Sequence, residues 1–347
     1  MKFLHAADIH LDSPLTGLGA AAECPVERLR QSTRLAFINL IDYAIAEAVD
    51  FIVIAGDLYD GSWRDYSTGL FFVRQMSRLA DAGIPVYVAL GNHDAQSRLT
   101  RELRLPDNVH VFASDRSETV FFREGTVALH GRSFAQPAVT DNLVLDYPQA
   151  QPACLNIGVL HTAVGGREAH ANYAPCALTD LLAKGYDYWA LGHVHAREVL
   201  HEDPHIVFPG NLQGRYIRET GAKGFTLVRV EDGRIVAAEP VAADVVRWQR
   251  CRVDLSTAVD FEDALDIITG AIATGLDDAE DRFAVVRLVL EGATPAHTAL
   301  VMQRDRLVTE CHGAALQASS DLWIEKVELA TRPHVDFDAA AARPDAI

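Results

Sequence analysis

Five short segments carry the side chains that could do chemistry. They are Asp8-Ile9-His10, Gly56-Asp57, Gly91-Asn92-His93-Asp94, the lone His161, and Gly192-His193-Val194-His195. Asp8, Asp57, Asn92, His10, His161, His193 and His195 together offer carboxylate, amide and imidazole donors for two divalent ions, and His93 is left over for chemistry. A set of oxygen and nitrogen donors without thiolate suits manganese, iron or zinc better than calcium. Two such ions ~3.5–4 Å apart neutralise phosphate oxygens, activate a nucleophile and stabilise a leaving group. The expected chemistry is therefore two-metal phosphoester hydrolysis. Asp57 is the natural bridge, because Gly56 lets the backbone come close. Asp8 and His10 stand two apart in an extended segment, so both reach one ion. Taken singly, each segment also reads as an ordinary turn. The five in order, each at the end of an apolar run, point to a metal centre.

The elements that must position these residues follow from periodicity. Strands are predicted at 2–7, 51–55 and 85–90, with helices over 25–49 and 67–82 between them; Pro25 suits a first helical turn and Gly83 a C-cap. This βαβαβ order implies parallel strands with right-handed crossovers, and it puts Asp8/His10, Asp57 and Asn92 just past carboxyl strand ends, where open α/β sheets place ligands. Shorter strands are predicted at 109–112, 119–122 and 126–131. Buried strands at 155–160 and 186–191 deliver His161 and His193/His195 to the same edge. Strands at 206–208, 224–230 and 234–239 complete a catalytic domain spanning 1–242. Beyond it the pattern is strand 248–255, helix 261–274, strand 283–290, helix 296–311 and strand 322–329. This second region, 243–332, carries no ligand cluster and is read as a small α+β accessory or capping domain, followed by a frayed tail over 333–347.

Bulk properties narrow the function. The 347 residues are 49% hydrophobic, enough for a sizeable core in two domains. No apolar run reaches the ~18 residues of a membrane span, and Asp8 comes too early for a signal peptide, so no membrane association and a cytoplasmic location are expected. The five cysteines, Cys24, Cys154, Cys176, Cys251 and Cys311, are scattered and odd in number, which suggests neither a zinc ribbon nor a disulfide framework. A formal charge of -17 argues against passive, patch-driven nucleic-acid binding, but two divalent ions would add positive charge where a phosphate must sit.

The motif set resembles the calcineurin-like metallophosphoesterase superfamily, whose pattern of D-x-H, G-D, G-N-H-D/E, a lone His and G-H-x-H is present in full. The resemblance implies a four-layer αββα sandwich. It implies Asp8, His10, Asp57 and His195 on one metal and Asp57, Asn92, His161 and His193 on the other, with Mn2+ the expected ion and Fe2+ or Zn2+ the alternatives. His93 would face the scissile phosphate, oriented by Asp94. Within the superfamily the chain is similar to DNA repair exonucleases of the SbcD type, including the bacterial YhaO-like branch. Residues 3–12, 55–60, 84–94, 191–195, 208–215 and 223–225 carry that similarity, which covers about residues 1–240. Archaeal and eukaryotic relatives have a His where this chain has Asp60, so a second catalytic imidazole is not implied there. Relatives often continue into a segment that docks a coiled-coil ATPase, which leaves that partnership open here.

The resemblance makes a DNA exonuclease or endonuclease the leading expectation, with DNA as partner. A phosphoesterase on small diesters or monoesters is the alternative, and a catalytically silent binding module ranks third because no ligand position is missing. Arg98, Arg101 and Arg104 recur every three residues after the Asn92 segment, and with Arg215 and Arg218 are candidates for DNA-backbone contact. Glu102 among the first three equally fits a solvated face. His5 and His130 lie inside strand patterns and read as core. Phe71-Phe72 and their apolar neighbours on the helix could form a homodimer patch or ordinary core.

Overall fold

The computed structural model describes residues 1–13, 25–60, 66–96, 103–165, 173–274 and 279–334. The chain divides into two compact units. The first holds the N-terminal strand, Glu27–Gln213 and Ala222–Val245; the second takes Gly214–Gly221 and the chain from Val246 on.

In the first unit, β1 (Lys2–Ala6), β2 (Phe51–Ala55), β3 (Val86–Ala89) and β4 (Val109–Val111) run parallel in that order. The helices α1 (Val26–Ala46) and α2 (Tyr66–Asp81) make the first two crossovers, and the short α3 (Asn92–Gln96) follows β3. On the far side of β1 lie β11 (Gly224–Glu231) and β12 (Arg234–Ala242), each antiparallel to its inner neighbour. The second sheet has the order β5 (Glu118–Phe122), β6 (Val127–Gly131), β7 (Leu155–His161), β8 (Tyr188–Gly192), β10 (His205–Phe208), β9 (Glu198–Glu202).

Strands buried on both faces read as unbroken apolar runs, and alternate residues sort to opposite layers. In β2, Phe51, Val53 and Ala55 face the second sheet, while Ile52 and Ile54 face the helices. In β8, Tyr188 and Ala190 meet the first sheet, while Trp189 and Leu191 pack outward against Val144 of the turn Leu143–Asp146 and Leu181 of α4 (Leu178–Leu182). Phe3 and Phe51 stack with centroids 4.8 Å apart in the space between the sheets. The layers are thus helix, sheet, sheet, helix, the αββα sandwich. His5 and His130 are core residues: His5 pairs with the Tyr188 hydroxyl at 2.9 Å and His130 with Asn156 at 3.1 Å.

The second unit holds three parallel strands, β13 (Val246–Asp254), β14 (Phe283–Thr294) and β15 (Leu322–Pro333), in chain order. One face packs on α5 (Phe261–Thr274), α6 (His297–Met302) and α7 (Arg304–Ala318). The helix predicted at 296–311 is two helices, because Gln303 leaves helical geometry at φ -107 and ψ 32. Strand β9 escapes the sequence reading: Glu198-Val-Leu-His-Glu is half polar because it is an edge strand. Among the described residues no helix is long and apolar enough to cross a membrane. The predicted frayed tail lies, but for Pro333 and His334, outside the described residues.

Candidate metal centre

Five strand ends converge. The loops after β1 and β2 run side by side, with the Asp8 N–H donating to the Gly56 carbonyl and the His10 N–H to that of Asp57, each at 3.0 Å. Their geometry is strained: Asp8, His10, Asp57 and His193 all have positive φ, at 50°, 47°, 51° and 106°. Positive φ is uncommon in non-glycine residues and persists where surrounding bonds over-determine it. Two glycines set the spacing. A Cβ on Gly56 would stand 2.3 Å from His161 Nδ1, and one on Gly192 would stand 1.8 Å from the Ala55 carbonyl oxygen.

All seven expected ligand residues meet here. Asp57 Oδ2 lies 3.4 Å from His161 Nε2 and 3.9 Å from His10 Nε2. His10 Nε2 stands 3.3 Å from His195 Nε2, which is 3.7 Å from Asp8 Oδ1. His161 Nε2 is 3.1 Å from Asn92 Oδ1, and the His161 and His193 rings are 5.2 Å apart. The donor atoms of Asp8, His10 and His195, and those of Asp8, Asp57 and His161, each fall within 4.8 Å of one another. Asp8, His10, Asp57 and His161 are buried, while His195 and His93 keep side-chain exposures of 22% and 35%, so the mouth lies on their side.

The residues fit divalent ions. His161 Nδ1 donates to the Ala55 carbonyl at 3.0 Å, so the Nε2 lone pair is the one turned toward Asp57 and Asn92. A backbone acceptor on the far nitrogen is how metal-binding imidazoles are commonly oriented. Burial holds His161 at about 3, opposed by that backbone bond, and so keeps the ring neutral. Burial also raises Asp57 and Asp94 above the ordinary carboxylate range; the Asp57 charge adds to the effect on Asp94. Facing lone pairs and buried carboxylates at these distances are relieved by cations between them.

Other segments hold the candidate ligands in place. Lys223 Nζ donates to the His195 carbonyl at 2.9 Å, and the Asn211 N–H donates to it at 3.2 Å. The segments around Asn211 and Lys223 that carried the SbcD-type similarity therefore brace the His195 loop. Both Asp8 oxygens accept the His193 N–H, at 3.1 and 3.0 Å.

His93 is met by a different carboxylate from the one expected. Asp94 does not reach the ring; its oxygens accept the backbone N–H groups of Leu58, Tyr59 and Gly91 at 3.3, 3.0 and 2.9 Å. It ties the β2 and β3 loops together through their backbones. The side chain against the ring is Asp60, with Oδ1 3.1 Å from His93 Nδ1. Its place three residues after Asp57, on the same loop, was the available signal. His93 also donates its backbone N–H to Asp57 Oδ1 at 3.0 Å, which fixes its loop to the expected bridging ligand.

Arg98 and Arg101 lie outside the described residues, and Arg104 is exposed. Arg215, 3.1 Å from Glu219, and the exposed Arg218 belong to the second unit.

Residues 1–197 match the family of calcineurin-like phosphoesterases. The chain belongs to that family. Residues 248–332 match the middle domain of metallophosphoesterase YhaO. A metallophosphoesterase YhaO of Bacillus subtilis, described as uncharacterized, is 38% identical over 85% of this chain and 72% of its own. The DNA double-strand break repair protein Mre11 of Methanopyrus kandleri is 27% identical over 72% of this chain, which spans 58% of that protein. A dimetal phosphatase from Danio rerio superposes with a TM-score of 0.41 and 12% identity, over 67% of this chain and 93% of that one.

Proposed function

We propose that this metallophosphoesterase hydrolyses phosphodiester bonds, with DNA as its substrate and Mn2+ as its metal. The observation that carries the reading is the convergence of the seven donor side chains on one edge, with His93 and Asp60 beside them at the open mouth. Asp8, His10, Asp57 and His195 would hold one ion, and Asp57, Asn92, His161 and His193 the other. When bound, the ions supply charge neutralisation at the phosphate and activation of the attacking water. The protein's own groups do the rest. His161 stays neutral and fixed by the Ala55 carbonyl. Asp57 spans the two sets of nitrogens. Asp60 faces His93 Nδ1, so the Nε2 proton can go to the leaving oxygen.

The choice of DNA rests on the similarity to a DNA double-strand break repair protein and on the second unit, which we assign an accessory role in selecting substrates. The formal charge of -17 favours the second reading, a small phosphodiester, because a polyanion must find its attraction locally. The test is purified chain with Mn2+ on linear duplex DNA, bis(4-nitrophenyl) phosphate and 4-nitrophenyl phosphate. Cleavage of DNA and the aryl diester, with the monoester slow, is expected. The aryl diester alone would install the second reading, and a preference for the monoester would refute both.

A further inference from the structure

Asp60 stands between two imidazoles. Its Oδ1 is 3.1 Å from His93 Nδ1 and 3.8 Å from His10 Nδ1, and the two rings are 5.1 Å apart at 82°. A carboxylate that can turn about its own side-chain bonds would serve either ring. Its other oxygen is held as well: Oδ2 accepts a hydrogen bond from Ser13 Oγ at 2.5 Å. A short O–H···O⁻ bond of this kind is charge-assisted and directional.

Ser13 is itself held. Its N–H donates to the His10 carbonyl at 3.0 Å, closing a turn directly after the ligand segment. The neighbouring Asp12 has φ 56 and is clamped from both helices of the first sheet: Arg34 Nε donates to Oδ1 at 2.6 Å, and Arg34 Nη2 and the Thr68 hydroxyl bond Oδ2. The Asp12 N–H adds a bond to Thr33 Oγ1 at 3.2 Å. The Ser13 hydroxyl therefore comes directly after a pinned residue.

We propose that Ser13 is a positioning residue for the reaction, holding Asp60 on His93 and away from His10, so that one imidazole is kept for the substrate and the other for metal. The inference rests on the function proposed above. It touches neither substrate nor metal directly, and acts through Asp60. Losing one charge-assisted hydrogen bond that aligns a proton donor should lower turnover roughly tenfold.

The experiment compares Ser13→Ala and Ser13→Thr with the parent chain, on two diesters and by imidazole 15N NMR. On a dinucleotide, whose alkoxide leaving group needs a proton, Ser13→Ala should lose about tenfold in kcat with KM and bound metal unchanged. On bis(4-nitrophenyl) phosphate, whose leaving group does not, the loss should stay below about threefold. Ser13→Thr, which keeps the hydroxyl, should restore most of the rate. In the metal-free chain the His93 Nδ1 resonance should move in Ser13→Ala and return in Ser13→Thr, while that of His161 stays in place. An unmoved His93 resonance overturns the inference. So does an equal loss on both diesters accompanied by lost metal, which would assign Ser13 to the ligand loop. If the parent chain cleaves neither diester, the proposed function fails, and the NMR arm still decides the placement of Asp60 by Ser13.

Discussion

Replacing Gly192 by alanine tests whether the distance between β2 and β8 sets the metal centre. Gly192 has no unusual φ, so an alanine costs little in local backbone conformation; the conflict is purely one of space. Its Cβ would stand 1.8 Å from the Ala55 carbonyl oxygen and 3.0 Å from His161 Nδ1. Comfortable C···O contacts lie near 3.3 Å, so the strands must part by about 1.5 Å. Close-packed interiors resist such shifts, and overpacking costs ~1–3 kcal/mol. At ~2 kcal/mol the melting temperature should fall by roughly 4–8 °C for a unit of this size. The functional cost should be larger. Ala55 O is the acceptor that orients His161, and His193 follows Gly192 directly. A displacement of ~1 Å in a positioned group costs on the order of 10²-fold in rate. The assays are calorimetric melting, metal content after Mn2+ loading, and kcat/KM on bis(4-nitrophenyl) phosphate. An alanine variant that melts with the parent chain and keeps its rate within about threefold would refute the argument.

Three further outcomes follow from the same geometry. His93→Ala should retain metal and lose ~10²–10⁴-fold in turnover, read by metal content and kcat together; lost metal would make His93 a ligand instead. Asp57→Asn removes the carboxylate assigned above to both ions, so metal content should drop toward one ion or none, and two retained ions would deny Asp57 the bridging place. Burial raises Asp57 and keeps His161 neutral down to about 3, so in the metal-free chain Asp57 takes up its proton as pH falls from 8 toward 5 while His161 does not. Metal loading should then release more protons, and bind more weakly, toward the acid end. Calorimetric titration in buffers of different ionisation enthalpy counts those protons, and a release independent of pH would contradict the assignment.

Local sequence pattern was enough to place the candidate ligands at strand ends. Apolar strand runs followed by D-x-H, G-D, G-N-H-D and G-H-x-H are local patterns, and parallel strands bring their carboxyl ends to one edge whatever the details of packing. It also determined that His5 and His130 are core, because they fall inside strand patterns. It did not determine which carboxylate serves His93. Asp94 is the sequence neighbour, yet its oxygens are taken by three backbone donors of other loops, and the ring meets Asp60 instead. That choice depends on the register of β2 against β3 and on the turn after β1, which are contacts across tens of residues. Strand β9 was hidden for a related reason: an edge strand need not be apolar, and only its pairing with β10 makes it one. The close approach of Gly192 to Ala55 was equally invisible, since the two residues lie in different sheets and come together only when the sandwich closes.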